Sequence, residues 1–244
     1  LGVKCGPAFF PRFCVIDLSG DGKTILYNDA VWTEAGGMTP IGGPPEGFQV
    51  VALSDDGSTV VGTILVNSDT LGFHEEAAIW RGGDSWQALG GLPGAVPCGS
   101  SYSASYDVSG DGKTVVGLAW LGSVCSGAHA FSWTEATGMV DLGSIVADRS
   151  SRANGISADG KTIIGWSDSD FGGRLGAIWE DDAAPRWFEP DGSSLFVGEA
   201  QGASSDGSVV VGGGFQNLNK PYSFSEPWKW TEASGVVSLG GVRG

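Results

Sequence analysis

Basic residues are scarce in this 244-residue chain: 13 Lys and Arg stand against 28 Asp and Glu, a formal charge of −15. Phosphate neutralisation needs the opposite balance, so a nucleic-acid partner is excluded. No apolar run approaches the ~18–20 residues that cross a bilayer as a helix, so no such span is expected. No ten-residue stretch repeats its apolar residues with a 3.6-residue period, which argues against a helical protein. Catalytic signatures are missing too. There is no G-x-S-x-G, no phosphate-binding loop and no H-E-x-x-H, and no residue is assigned a catalytic role. With two His and no C-x-x-C among four Cys, a zinc site has no support.

What the chain has in excess is glycine, 42 residues, and tryptophan, 10 residues. Both are distributed periodically. Asp-Gly pairs in S-x-D-G or near contexts fall at Asp21-Gly22, Asp56-Gly57, Asp111-Gly112, Asp159-Gly160 and Asp206-Gly207, each followed by a β-branched run. A tryptophan closes an apolar segment at Trp32, Trp80, Trp133, Trp179 and Trp230. Nine residues after each comes a bulky apolar residue: Ile41, Leu89, Leu142, Phe188 and Leu239. A constant offset between two independent markers identifies five repeats.

Each repeat reads as four short strands. Asp-Gly between β-branched runs is a strong hairpin signal, and the two-residue type I′ turn it suggests puts both central residues at positive φ. E-A-x-G at Glu34–Gly37, Glu135–Gly138 and Glu232–Gly235 marks a second tight turn. Ala130-Phe131-Ser132-Trp133 alternates small and bulky residues, as a strand with two different faces does. Four strands in ~45–50 residues is the size of a β-propeller blade. The expected fold is all-β: one propeller domain over 1–244, a closed ring of five four-stranded antiparallel blades, with repeats at about 14–47, 48–101, 102–151, 152–200 and 201–244. The tryptophans and their partners at +9 are expected to form the cores between blades, and the V-V-G glycines to allow close packing.

The cysteines form two near pairs in sequence, Cys5 with Cys14 and Cys98 with Cys125. Two disulfides in an exported protein are expected, consistent with a chain that starts at Leu1 after loss of an upstream leader.

The segment A-H-A-F-S-W-T-E around His129-Ala130-Phe131, with V-S-G-D-G-K-T-V-V-G upstream, resembles the bacterial extracellular HAF-repeat family. The similarity extends from about Cys14 to Gly240, and is weakest where Ala177-Ile178-Trp179-Glu180-Asp181 replaces the repeat's usual form. The resemblance implies an extracellular, surface-displayed or periplasmic bacterial protein and implies no particular chemistry.

In a blade with strands a to d, the a–b and c–d turns share one face, and the b–c loops and d–a connections share the other. Here the first class is short and uniform. The second is long and different in every unit: Thr63–Glu76, Leu118–Ala128, Trp166–Gly176 and Gly213–Pro227. Variable loops on a regular scaffold are the natural place for function. They carry Trp120, Trp166, Phe171, Tyr222 and Trp228 beside His74, Asp168, Asp170, Arg174, Asn217 and Asn219. Aromatic planes next to Asn and Asp suit sugar rings and their hydroxyls, whereas the alternative role for the tryptophans is core packing. Cys98 and Cys125 fall on this same face.

His74-Glu75-Glu76 is a minor candidate for a metal or a general base. Asp17-x-Ser19-x-Asp21 and Asp107-x-Ser109-x-Asp111 imitate half of a calcium loop but have Asn28 and Leu118 at its closing position, so structural calcium is a secondary possibility and no other cofactor is expected. Three functions compete. The first is a non-catalytic protein-binding or scaffold module of a cell-surface assembly. The second is a carbohydrate-binding propeller. The third is a glycoside hydrolase or lyase with paired carboxylates at the axis, for which Asp17 and Asp107 are the available acids.

Overall fold

The computed structural model describes residues 15–42, 49–122, 127–180, 184–189, 195–216 and 225–240. Its strands fall into consecutive groups. The first blade is β1 (Val15–Leu18), β2 (Thr24–Tyr27), β3 (Ala30–Thr33) and β4 (Gly37–Pro40). The second is β5 (Gln49–Leu53), β6 (Val60–Ser68), β7 (Gly72–Trp80) and β8 (Gln87–Ala88). The third is β9 (Ser103–Val108), β10 (Val115–Trp120), β11 (Ala128–Thr134) and β12 (Gly138–Gly143). The fourth is β13 (Ser151–Ile156), β14 (Thr162–Asp168), β15 (Arg174–Glu180) and β16 (Arg186–Trp187). The fifth is β18 (Ala200–Ala203), β19 (Val209–Gln216), β20 (Ser225–Thr231) and β21 (Gly235–Ser238), with the short β17 (Leu195–Phe196) also paired to β19. Every pairing is antiparallel between sequence neighbours, apart from that extra strand, so the molecule is a five-bladed β-propeller of four-stranded units.

The Asp-Gly turns are hairpin turns of a different type from that expected. Gly22, Gly57, Gly112, Gly160 and Gly207 have φ between 69° and 78°, while the preceding aspartates are not at positive φ. A type I′ turn needs both. The chain instead makes a longer loop, closed in the first blade by Gly22 N–H to Ser19 O (2.8 Å). The Asp21 carboxylate accepts from the Ser19 hydroxyl and the Lys23 N–H, and Ser19 Oγ accepts from Thr24 N–H. The same set recurs at Ser54/Asp56, Ser109/Asp111, Ser157/Asp159 and Ser204/Asp206. Serine and aspartate are thus both explained by the loop's own backbone donors. These turns also join blade to blade, through Gly20 N–H to Asp55 O, Asp56 N–H to Gly110 O, Gly110 N–H to Ala158 O and Asp159 N–H to Ser205 O.

Each innermost strand carries a β-bulge at the same place, at Ile16, Val51, Tyr106, Asn154 and Gln201. In blades two to five a glycine lies opposite it, Gly62, Gly117, Gly165 and Gly212, where blade one has Tyr27. A Cβ on Gly62, Gly117 or Gly165 would collide with the carbonyl of Gln49, Ala104 or Arg152. Close backbone approach is the reason only glycine fits there.

Four apolar cores fill the four successive junctions. In each, the +9 residue of one blade packs with the tryptophan of the next: Ile41 with Trp80, Leu89 with Trp133, Leu142 with Trp179, and Phe188 with Trp230. Buried serines reinforce two of them. Ser103 Oγ accepts from Ala77 N–H and donates to Gly90 O, and Ser151 Oγ accepts from Ala130 N–H and donates to Gly143 O. The fifth pair does not form. Leu239 is 57% exposed and Trp32 is only partly buried. Among the described residues no core cluster and no backbone hydrogen bond joins blade five to blade one. Five blades and four packed junctions are thus seen among the described residues; the terminal segments 1–14 and 241–244, on which closure of the expected ring also bears, lie outside them.

Candidate functional site

A cleft of about 440 Å³ opens on the variable-loop face at the junction of blades three and four, within the ~300–1,000 Å³ range of small-ligand sites. The b–c arms supply Trp120, Ala128, Asp168 and Arg174; the starts of the innermost strands supply Ser103, Ser150 and Arg152; the bulge of β9 supplies Tyr106. Blade two closes one side with Glu75, beside Ser101. Strand lengths explain why these residues meet. In blades two and four the segments read as long loops are hairpin arms: β6 runs to Ser68 and β7 restarts at Gly72, while β14 runs to Asp168 and β15 restarts at Arg174. The arms rise past the inner strands and form the walls.

Inside the cleft the arginines are held by aromatic faces and one carboxylate. Arg174 lies 4.1 Å from the centroid of the Trp166 ring; Arg152 lies 4.7 Å from Tyr106 and 5.5 Å from Trp166. Glu199 bridges the two guanidiniums, at 3.2 Å to Arg152 and 3.0 Å to Arg174. Arg152 Nε also donates to Asn154 Oδ1 (2.7 Å), whose amide donates to Ala200 O (2.7 Å). Cation–π stacking and the shared Glu199 carboxylate order side chains that would otherwise be mobile. The acids of the cleft are placed differently. Glu75 accepts only the Ser101 hydroxyl (3.2 Å), and Asp168 has no side-chain partner among the described residues.

Of the loop residues singled out in the sequence, Trp120, Trp166, Asp168 and Arg174 come together here. Trp166 is 3% exposed, and its indole N–H has no partner among the described residues. Trp228 does not belong to a ligand surface. It is fully buried between blades four and five against Phe188, ring centroids 5.2 Å apart, because β20 turns it into the core. Phe171, 98% exposed, and Asp170 sit at the tip of the β14–β15 arm, away from the cleft lining. Tyr222, Asn217 and Asn219 lie outside the described residues. So do Cys5, Cys14 and Cys125; Cys98 is no free thiol, and its loop, pairing Cys98 with Ser101, borders Glu75.

His74 is not positioned for a metal or for base catalysis. Its ring is fully buried, Nδ1 donates to Gly72 O (2.8 Å), and Nε2 lies 2.6 Å from Glu76, whose other oxygen accepts Gly90 N–H (3.0 Å). The group is a buried brace inside blade two. Among the described residues no cluster of three or more His, Cys, Asp or Glu could hold a metal ion.

Asp17 and Asp107 also have structural partners. Asp17 accepts Leu18 and Leu53 N–H, and Asp107 accepts Val108 and Ile156 N–H, so each carboxyl ties an inner strand to the next blade. The neighbouring positions are Ala52 and Gly155, small enough to admit the carboxyl. Burial pushes the Asp107 pKa up to about 7; the two N–H donors oppose this and the charge of Asp17 adds to it. The five turn aspartates shift the other way. Asp21 and Asp206 are held at about 2, the first chiefly by the Lys23 N–H and ammonium, the second by the Ser204 and Ser208 hydroxyls.

These features define a β-propeller with an arginine- and aromatic-lined cleft on its variable face. Among solved structures, putative TolB from Agrobacterium tumefaciens is similar at TM-score 0.59 and 15% identity, over 95% of this chain and 82% of that one. The propeller domain of the Trilobed protease from Pyrococcus furiosus matches at 0.61 and 11%, over 94% and 69%. Oligogalacturonate lyase from Vibrio parahaemolyticus matches at 0.60 and 12%, over 94% and 65%. At these identities the likeness establishes the fold. No protein-family model and no curated protein matches the sequence.

Proposed function

We propose that this protein is a non-catalytic binding propeller of the bacterial cell exterior or periplasm, a protein-binding module of a surface assembly whose partner seats in the cleft between blades three and four. The carrying observation is the lining. Tyr106, Trp120, Trp166, Arg152 and Arg174 are the residue types that dominate interface energetics, gathered in one concavity and pre-ordered by stacking. Pre-ordering lowers the entropic cost of binding, since the guanidiniums are already fixed before a partner arrives. The HAF-type repeat supports the exported location, and the acidic surface suits a soluble outer module.

A second reading has an observation of its own. Trp120 is partly exposed and lines the cleft together with Asp168 and Arg174, a stacking plane beside an acceptor and a donor that also suits a sugar. A photo-crosslinker at exposed Leu121, next to Trp120, separates the two readings on intact source cells. The protein-binding reading predicts one discrete protein adduct, lost with Trp120→Ala. No adduct, together with Trp120-dependent binding on a glycan array, would transfer the function to sugars.

A further inference from the structure

The cationic groups of the cleft are satisfied internally, and its anionic groups are not. Both arginines share Glu199. Asp168 faces Arg174 directly across the β14–β15 ladder, yet the Arg174 guanidinium turns away from it, onto the Trp166 ring and Glu199. Asp168 and Glu75 therefore line the cleft with no cation within ion-pair distance among the described residues. Trp120 and Tyr106 offer ring surface in the lining. The chain as a whole carries −15, a field that attracts cationic partners and repels anionic ones.

Resting on the protein-binding reading above, we infer that the cleft takes a basic peptide segment of its partner, with Lys or Arg side chains pairing with Asp168 and Glu75 and stacking on Trp120. An anionic segment fits less well, because it would have to compete with Glu199 for the arginines while facing two uncompensated carboxylates. The stacking of Arg174 on Trp166 shows the geometry in which these rings accept a guanidinium.

The test uses the whole chain and three probes: a blocked Arg-Gly-Arg-Gly-Arg peptide, its Glu counterpart and chitotetraose. The arginine peptide is expected to bind with an affinity that falls as salt rises. Asp168→Asn and Glu75→Gln should each weaken it by about tenfold, the scale of one lost charge pair. Trp120→Ala should weaken it at least as much. Glu34→Gln, which removes the same charge from the β3–β4 turn on the far face, should change it by less than about twofold. Equal loss with Glu34→Gln would reduce the effect to net charge and overturn the inference. Preference for the Glu peptide would overturn it as well, while leaving the cleft a protein site. Trp120-dependent binding of chitotetraose, with neither peptide bound, would overturn both this inference and the reading beneath it.

Discussion

The junction between blades three and four and the seam between blades five and one are built from the same repeat, yet the described residues pack differently at the two. At the first, Leu142 packs with Trp179, Asp107 grips Ile156 N–H, Ser151 bridges two strands, and Trp179 Nε1 donates to Leu142 O. At the second, Leu239 and Trp32 occupy the corresponding places without each other, and Val15 and Leu18 of the first strand are about half exposed. A repeat sequence specifies what each unit offers its neighbour, but the energy comes from what each residue actually buries. The proposed binding cleft lies over a packed junction, where walls from two blades hold their relative position.

The largest effects should separate junction residues from their seam counterparts. Trp133→Ala removes a buried indole between blades two and three and should cost about 3–5 kcal/mol in urea unfolding. Trp32→Ala should cost about 1 kcal/mol or less, since its ring is only partly buried and belongs to no core cluster among the described residues. Equal losses at the two sites would mean that Trp32 is packed as firmly as Trp133. One step down, Leu89→Ala should cost about 2–4 kcal/mol and Leu239→Ala no more than about 0.5 kcal/mol.

A finer contrast is electrostatic. Asp107 has a folded-state pKa of about 7, above its unfolded value, so the fold favours its protonated form. Its contribution to stability is complete below about pH 4 and is lost as pH rises through 7. Asp21 and Asp206, lowered to about 2, contribute above about pH 4 and lose that contribution as pH falls through 2. Asp107→Asn should flatten the decline in stability between pH 4 and 7 and leave the acid limb unchanged. A variant whose slope matches the parent would remove Asp107 from the account.

Much of this architecture was legible in the residues. The Trp-to-+9 spacing located four of the junction cores, because a pattern repeated five times reports packing shared by all blades. The turn type was not legible, since Asp-Gly is compatible with more than one hairpin loop and the side-chain bonds of Ser19 and Asp21 decide between them. The exposure of Leu239 was hidden for a related reason: it matches Leu89 in sequence, and only its surroundings differ. In the cleft, the b–c arms led to Trp120, Trp166, Asp168 and Arg174. Arg152 and Tyr106 escaped because they belong to inner strands, where a bulge rather than a loop brings Tyr106 to the surface of the site. For Tyr106 the available signal was an aromatic residue at the bulge position, where the other repeats have Ile16, Val51, Asn154 and Gln201. Trp228 misled in the opposite direction, as a tryptophan two residues before the repeat marker Trp230 that turns inward with it.

The most direct measurement of the central claim, that binding occurs in the pre-ordered cleft over the third junction, is an ¹H–¹⁵N spectrum of the tryptophan indoles during titration with the arginine peptide. The account predicts shifts of the Trp120 and Trp166 signals, with those of Trp32 and Trp80 unmoved. Shifts at Trp32, with Trp120 and Trp166 unchanged, would contradict it and move the binding surface to the seam.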